Sequence, residues 1–152
     1  MENTETITVN RKAYHDYHIL ESYEAGIVLK GSEIKSIRAG RVNIRDAYAK
    51  VDKGELWLFN SHIAAYQAAS HDSHDANRPR KLLLHRKQIA EVAGLTSQKG
   101  LTLIPLRLYI KDGKAKLELG VGKGKKQFDK RESIAKHDAE REIARALKSR
   151  HR

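Results

Sequence analysis

Apolar and polar residues alternate most regularly between positions 106 and 121. Leu106, Leu108 and Ile110 are separated by Arg107, Tyr109 and Lys111, and Ala115, Leu117, Leu119 and Val121 by Lys116 and Glu118. Asp112-Gly113 lies between these two period-two runs, which predicts a hairpin closed by a type I′ turn. Pro105 has no amide hydrogen to give to a ladder and is expected at an edge or a bulge. A second alternation covers Asn43 to Val51, where Ala47, Ala49 and Val51 are interleaved with Asp46, Tyr48 and Lys50. It turns through Asp52-Lys53-Gly54 into the strand-like run Glu55 to Asn60. Asp16 to Leu29 (DYHILESYEAGIVL) is rich in β-branched and aromatic residues and predicts a long strand, with Gly26 at a bulge or bend.

Helical spacing is weaker. Ile34 and Ile37 give one apolar stripe to a short helix over Gly31 to Arg38, and Ile89, Val92 and Ala93 share a face within a partly helical stretch from Leu82 to Gln98. Residues 1–12 look like a loose polar arm, and Ala68 to Arg80 has no period and reads as a mobile loop. Several short antiparallel strands with two or three short helices predict a mainly β fold, an OB-fold-like antiparallel barrel. A β-sandwich accommodates the helices less well. The expected organisation is a flexible arm at 1–12, a barrel at 13–123 and a tail at 124–152.

Charge changes the picture at the C-terminal end. The chain has 152 residues with 30 Lys or Arg against 19 Asp or Glu, a formal net charge of +11. Residues 123–152 hold 11 Lys or Arg against 5 Asp or Glu, so this short segment carries +6 of that excess. Its apolar positions are sparse, and pairs such as Glu132 with Lys136 or Glu142 with Arg145 add only ~0.2–0.5 kcal/mol each to a helix. The tail is therefore expected to be disordered when free and to order on a partner. An excess of this size points to a polyanionic partner, a basic surface kept for solubility being the plainer alternative.

There is no cysteine, which removes disulfides, thiolate metal sites and cysteine nucleophiles together. No apolar run approaches the roughly 20 residues of a membrane span, and the polar N-terminal MENTETITVNRK lacks a signal-peptide core. The expectation is a cytoplasmic protein with no membrane partner.

Basic residues interleaved with aromatics or glycines form three clusters: Asn10 to Tyr17 (NRKAYHDY), Arg78 to Arg86 (RPRKLLLHR) and Lys123 to Arg131 (KGKKQFDKR). Cations neutralise phosphates, glycine permits close backbone approach, and aromatic faces stack on unpaired bases. Other chemistry is poorly supported. His71 and His74 with Asp72 and Asp75 lack a third ligand at diagnostic spacing, so no metal is expected. His62 has no nucleophile or orienting carboxylate beside it. The glycines at 120, 122 and 124 are not followed by the Lys-Ser or Lys-Thr of a phosphate-cradling loop. Neither a catalytic site nor a cofactor is expected.

These clusters, together with Glu24 to Arg45, Trp57 to Ile63 (WLFNSHI), Lys99 to Pro105 (KGLTLIP) and Gly124 to Arg131, closely resemble the SsrA-binding protein family, also called small protein B. The resemblance runs in order through nearly the whole chain. It implies an OB-type barrel and a binding protein rather than an enzyme. The implied partner is transfer-messenger RNA, gripped at the elbow of its tRNA-like domain. Alanyl-tRNA synthetase and elongation factor Tu follow indirectly through that RNA. On the ribosome, the barrel would take the place of an anticodon arm in the small-subunit decoding centre, and the tail would read the empty mRNA channel. A monomer is expected.

Carried onto this chain, the resemblance gives Glu33, Lys35 and Ser36 as RNA contacts. Glu33 would accept from base or ribose donors, or hold Lys35 and Arg38 in place; its plainer role is a helix-start charge. Lys12, Arg38, Lys81 and Arg86 are the phosphate candidates, and Tyr17 and Trp57 are expected in the core. The tail residues Lys125, Lys126, Phe128, Asp129, Lys130 and Arg131 are the ribosome candidates. Some family members have His at the position of Phe128, so a stacking contact survives here and a ring hydrogen bond does not. A general single-strand RNA-binding OB module or a ribosome assembly factor remains the alternative, and a histidine-dependent metallohydrolase the third reading.

Overall fold

The computed structural model describes residues 3–65, 74–98 and 100–125. Of the expected tail, Gly124 and Lys125 are described, while the part from residue 126 on, with Lys126, Phe128, Asp129, Lys130 and Arg131, lies outside the described residues, as does His71. Among the described residues the elements run β1 (Thr4–Val9), α1 (Arg11–Asp16), β2 (Tyr17–Ile27), α2 (Gly31–Arg38), β3 (Val42–Asn43), β4 (Tyr48–Asp52), β5 (Glu55–Phe59), β6 (His62–Ile63), β7 (Arg80–Leu83), α3 (Arg86–Thr96), β8 (Leu101–Lys111) and β9 (Lys114–Gly124).

The main sheet is antiparallel, ordered β1-β8-β4-β5-β7-β2-β9, and β9 also pairs with β8. That last pairing bends the sheet into an OB-like circuit, with β1 continuing the β8 edge that β4 begins. The β4–β8 seam is a single residue pair, Ala49 with Leu103. Both expected hairpins form. Lys53 and Gly54 have φ of 51° and 77°, Asp112 and Gly113 have φ of 50° and 80°, and two successive positive φ values are what a type I′ turn requires.

The long strands serve two cores. Leu103, Leu108, Leu117, Leu119 and Val121 face the main core with Ala25, Leu56, Leu58 and Leu82. Ile104, Leu106 and Ala13 form a second, smaller one, with Tyr17 and Ile19 packed against it. Successive residues of a strand face opposite sides, so Leu103 and Leu108, five positions apart, can share the main core only if β8 changes phase between them. In β8 a bulge between Pro105 and Arg107 supplies it, which is where Pro105 was expected. Leu106 consequently leaves the face it was expected to share with Leu108 and Ile110. In β2 the bulge falls between Ile19 and Glu21, not at Gly26, which pairs instead with both Leu83 and Lys116.

In β9 no bulge is needed, because Gly120 and Gly122 leave room for the second core. A Cβ at Gly122 would lie 2.8 Å from Ile104 Cδ1 and 3.1 Å from Tyr17 Cβ. Gly122→Val should therefore overpack the seat of α1 and lower stability by about 1–3 kcal/mol. Gly94→Ala, at an exposed helical position with open space, should raise stability by up to about 1 kcal/mol. Urea unfolding midpoints that shifted in the same direction for both would contradict this.

Four local expectations are corrected. Thr4–Val9, expected within a loose arm, is a strand paired with β8 from Thr4↔Lys111 to Val9↔Arg107. Arg11–Asp16 is a short helix whose start is capped by Asn10, the side-chain Oδ1 accepting from the Ala13 amide at 3.2 Å. The run Asn43 to Val51 is broken into β3 and β4 by a turn at Ile44 to Ala47. Arg80–Leu83, split between an expected loop and an expected helix, is strand β7, paired with β5 and β2.

Candidate nucleic-acid interface

Burial alternates along β4, β5 and β7, so the side chains not in the core form an outer face. Tyr48 and Lys50 on β4, Trp57 and Phe59 on β5 and Lys81 on β7 belong to it. Trp57 stands in register between Lys50 and Lys81 and is only half-buried, so it is not the core residue expected. Tyr48 and Phe59 stack with ring centroids 5.5 Å apart. Aromatic faces flanked by lysines suit unpaired bases and their phosphates. Lys81 is expected from sequence and contacts Glu55 at 3.3 Å; Lys50, Trp57, Tyr48 and Phe59 were missed as a group, because cross-strand register alone assembles them.

The other expected cations are spread over the domain rather than gathered there. Lys12 on α1 pairs with Asp46 at 3.0 Å, and Arg38 at the end of α2 reaches the Gly113 carbonyl at 3.5 Å. Lys35 is exposed on α2, and Arg86 is exposed at the start of α3. Lys125, at the end of the described residues, donates from its amide to the Asp16 carbonyl at 2.8 Å and from Nζ to the Tyr14 carbonyl at 3.1 Å. A cation on the last carbonyls of a short helix is favourably placed.

Glu33 and Ser36 are not surface groups. Both are fully buried, and Ser36 Oγ donates to the Ala64 carbonyl at 2.7 Å. Glu33 accepts the Lys30 amide at 2.8 Å, which caps α2, and takes Arg80 Nε at 2.7 Å and the side chain of Arg78 on its two oxygens. It holds Arg78 and Arg80, not Lys35 and Arg38. Arg80 is itself fully buried and spends its remaining donors on Ser61, Asp75 and Ala76. Burial alone would push the Glu33 carboxyl up, yet Arg78, the Lys30 amide and Arg80 together hold it below the ordinary carboxylate value.

His74 is likewise buried, between Ser32 Oγ at 2.9 Å and the Ile63 carbonyl at 2.8 Å. Its ring nitrogens are thus committed to the fold. No group of three metal-ligating side chains occurs among the described residues, and no described helix is long and apolar enough to cross a membrane.

A second polar face spans β1, β8, β9 and β2. Arg107 lies 4.2 Å from the Tyr109 ring centroid and contacts Glu118 at 3.1 Å. The Tyr109 hydroxyl donates to Glu24, which Lys111 also approaches at 3.4 Å. That hydroxyl, more than Lys111, holds the Glu24 carboxyl below its ordinary value, and burial with Glu24 pushes the Tyr109 phenol up. Tyr23, desolvated and bonded to Glu21, is pushed up to about 12. Glu24 is therefore a half-exposed, charged acceptor on an otherwise basic protein, able to take base or ribose donors that phosphate-binding cations cannot.

The comparisons with known proteins agree over nearly the whole chain. The SmpB protein family model matches residues 7–149. The SsrA-binding protein of Carboxydothermus hydrogenoformans is 59% identical over 145 residues, 95% of this chain and 97% of that protein. The one from Desulforudis audaxviator is 55% identical over 147 residues, 97% of this chain and 96% of that protein. A solved structure described as tmRNA-SmpB on a journey to the center of the bacterial ribosome is similar with a TM-score of 0.68 and 47% identity, covering 84% of this chain and 93% of its own.

Proposed function

The chain belongs to the SmpB family of SsrA-binding proteins, and from that premise we propose that it binds the tRNA-like domain of transfer-messenger RNA and delivers it to stalled ribosomes. The observation that carries this reading is the family match over residues 7–149, which includes most of the basic C-terminal segment. The structural neighbour, a tmRNA-SmpB structure concerned with the bacterial ribosome, supports both partners. The work is binding and delivery, with no reaction assigned to the chain.

Within the domain, Lys12, Lys35, Arg38, Lys81 and Arg86 contact phosphates, while Glu33 and Ser36 act by holding the fold beneath them. Lys125, Lys126, Phe128, Asp129, Lys130 and Arg131 act on the small subunit, at the decoding centre and in the empty mRNA channel. Elongation factor Tu and alanyl-tRNA synthetase meet the protein through the RNA, and the chain acts as a cytoplasmic monomer.

Salt and competitors test this reading together. Each neutralised phosphate releases counterions, so affinity for a folded tRNA-like RNA should fall by about 10³-fold or more between 50 and 200 mM salt if roughly six phosphates are engaged. At fixed salt, a single-stranded polypyrimidine should compete poorly against it. Flat salt dependence, or equal competition by the polypyrimidine, would return the protein to the class of general single-strand binders.

A further inference from the structure

Strand pairing divides the sheet into two bodies. One is a frame of the long strands β2, β8 and β9 with β1 and α1, laddered from Tyr17↔Gly124 to Gly26↔Lys116 and from Leu101↔Lys123 to Lys111↔Lys114. The other is the unbroken stretch 31–83, which contains α2 and β3 to β7. Its buried polar side chains are bonded largely among themselves. Glu33 holds Arg78 and Arg80, Arg80 reaches Ser61, His74 joins Ser32 to Ile63, and Ser36 donates to Ala64. The frame is likewise tied to itself, through Arg107 with Glu118 and Tyr109 with Glu24.

The two bodies meet at two joins of unequal kind. At the first, β2 and β7 pair at Gly26↔Leu83 and Ile27↔Leu82, and the Val28 amide donates to the Lys81 carbonyl at 2.9 Å. Both covalent crossings, residues 28–30 and 84–85, leave from this side. At the second, β4 meets β8 at Ala49↔Leu103. Open grooves of about 460 and 290 Å³ border that pair, each lined by residues of both strands. α3 packs on β8 and β9 and reaches β4 at the rim of the larger groove, through Ala93 and Thr96. Buried Asn10 fastens this side, its Nδ2 donating to the Ile44 carbonyl at 3.2 Å and the Pro105 carbonyl at 2.9 Å. The Lys12–Asp46 pair beside it is exposed and screened by water.

We propose that the domain is a hinged pair: the 31–83 body turns about the β2–β7 join and parts from the frame along the β4–β8 seam, and bound RNA holds the two shut. Local opening proceeds through contiguous segments that are weakly held to the rest, which describes 31–83. The core shared by the two bodies, with Ala49, Leu56 and Leu58 against Leu103, Leu117 and Leu119, keeps the parted form a minor one. The clamping half of the proposal rests on the delivery reading above. Its basis is where the assigned cations stand: Lys35, Arg38 and Lys81 ride on the 31–83 body, while Lys12 and Arg86 stand on α1 and at the start of α3. An RNA that engages both sets binds the closed form alone, so it suppresses opening by mass action.

The test is amide exchange of the full chain in low urea, read at Ala49, Leu56 and Leu58 and, in the frame, at Leu117, Leu119 and Val121. The first set should exchange at least about 10-fold faster, through an opening that the second set does not share. Because the chain has no cysteine, Ala49→Cys with Leu103→Cys gives one defined cross-link across the seam. Oxidation should remove the difference and reduction restore it. Transfer-messenger RNA at about ten times its Kd should slow the first set about 10-fold in the unmodified chain and hardly at all in the oxidised one. Equal exchange of both sets in the unmodified chain overturns the hinge, whether or not the cysteine variant folds. RNA that binds without slowing the first set, or slows it equally in the locked chain, overturns the clamp. RNA that does not bind at all ends the delivery reading and the clamp with it, while the exchange difference still decides the hinge.

Discussion

Replacing Glu33 by alanine is expected to cost the folded domain about 3–5 kcal/mol, because it leaves Arg80 charged, buried and without its counter-ion. A domain of this size has only about 5–15 kcal/mol to lose. The urea midpoint should fall sharply, with little change in slope. Glu33→Leu combined with Arg80→Met removes both charges and should recover part of the loss, leaving the carbonyls of Ser61, Asp75 and Ala76 without their donor.

Acid should act on the same group. The folded-state carboxyl titrates below its ordinary value of 4.5, so its contribution is present above that pH and is lost as pH falls through the lower, folded value. The single variant should lack this component of acid unfolding. A midpoint shift under about 1 kcal/mol in Glu33→Ala would show that the pair does not hold the domain together.

The largest functional effect is expected from the tail. A chain truncated just before Asp129 should keep most of its affinity for transfer-messenger RNA, since Lys35, Arg38, Lys81 and Arg86 all lie within the folded domain. It should fail to tag peptides on stalled ribosomes, because the segment assigned to the mRNA channel is gone. Phe128→Ala removes one stacking face and should give a milder form of the defect. Gel shift reads the first activity and a reconstituted translation system the second. Equal loss of both would make the tail part of the RNA grip and end the two-part mechanism.

What could be read from sequence was whatever chemistry acts locally. The Asp112-Gly113 and Lys53-Gly54 turns, the α2 stripe and the Pro105 bulge follow from backbone preferences of a few adjacent residues. β1 was legible but overlooked: Thr4, Thr6, Ile7, Thr8 and Val9 are all β-branched strand formers, yet a mostly exposed edge strand of threonines reads as a polar arm. β7 escaped because it opens on a buried arginine, whose burial depends on a carboxylate 47 positions earlier. Glu33 was found as an important acid and given the wrong partners for the same reason.

The pairing of β2 with β9, from Tyr17↔Gly124 to Gly26↔Lys116, joins the beginning of the described chain to its end. Among the described residues β1 likewise pairs only with β8. Neither N-terminal strand has a partner for most of its length until the last hairpin has been made. Domains dominated by such distant contacts fold slowly, over milliseconds to seconds, since a long loop must close before any ladder forms. During synthesis, β1 and most of β2 must therefore wait, unpaired, until β8 and β9 have left the ribosome.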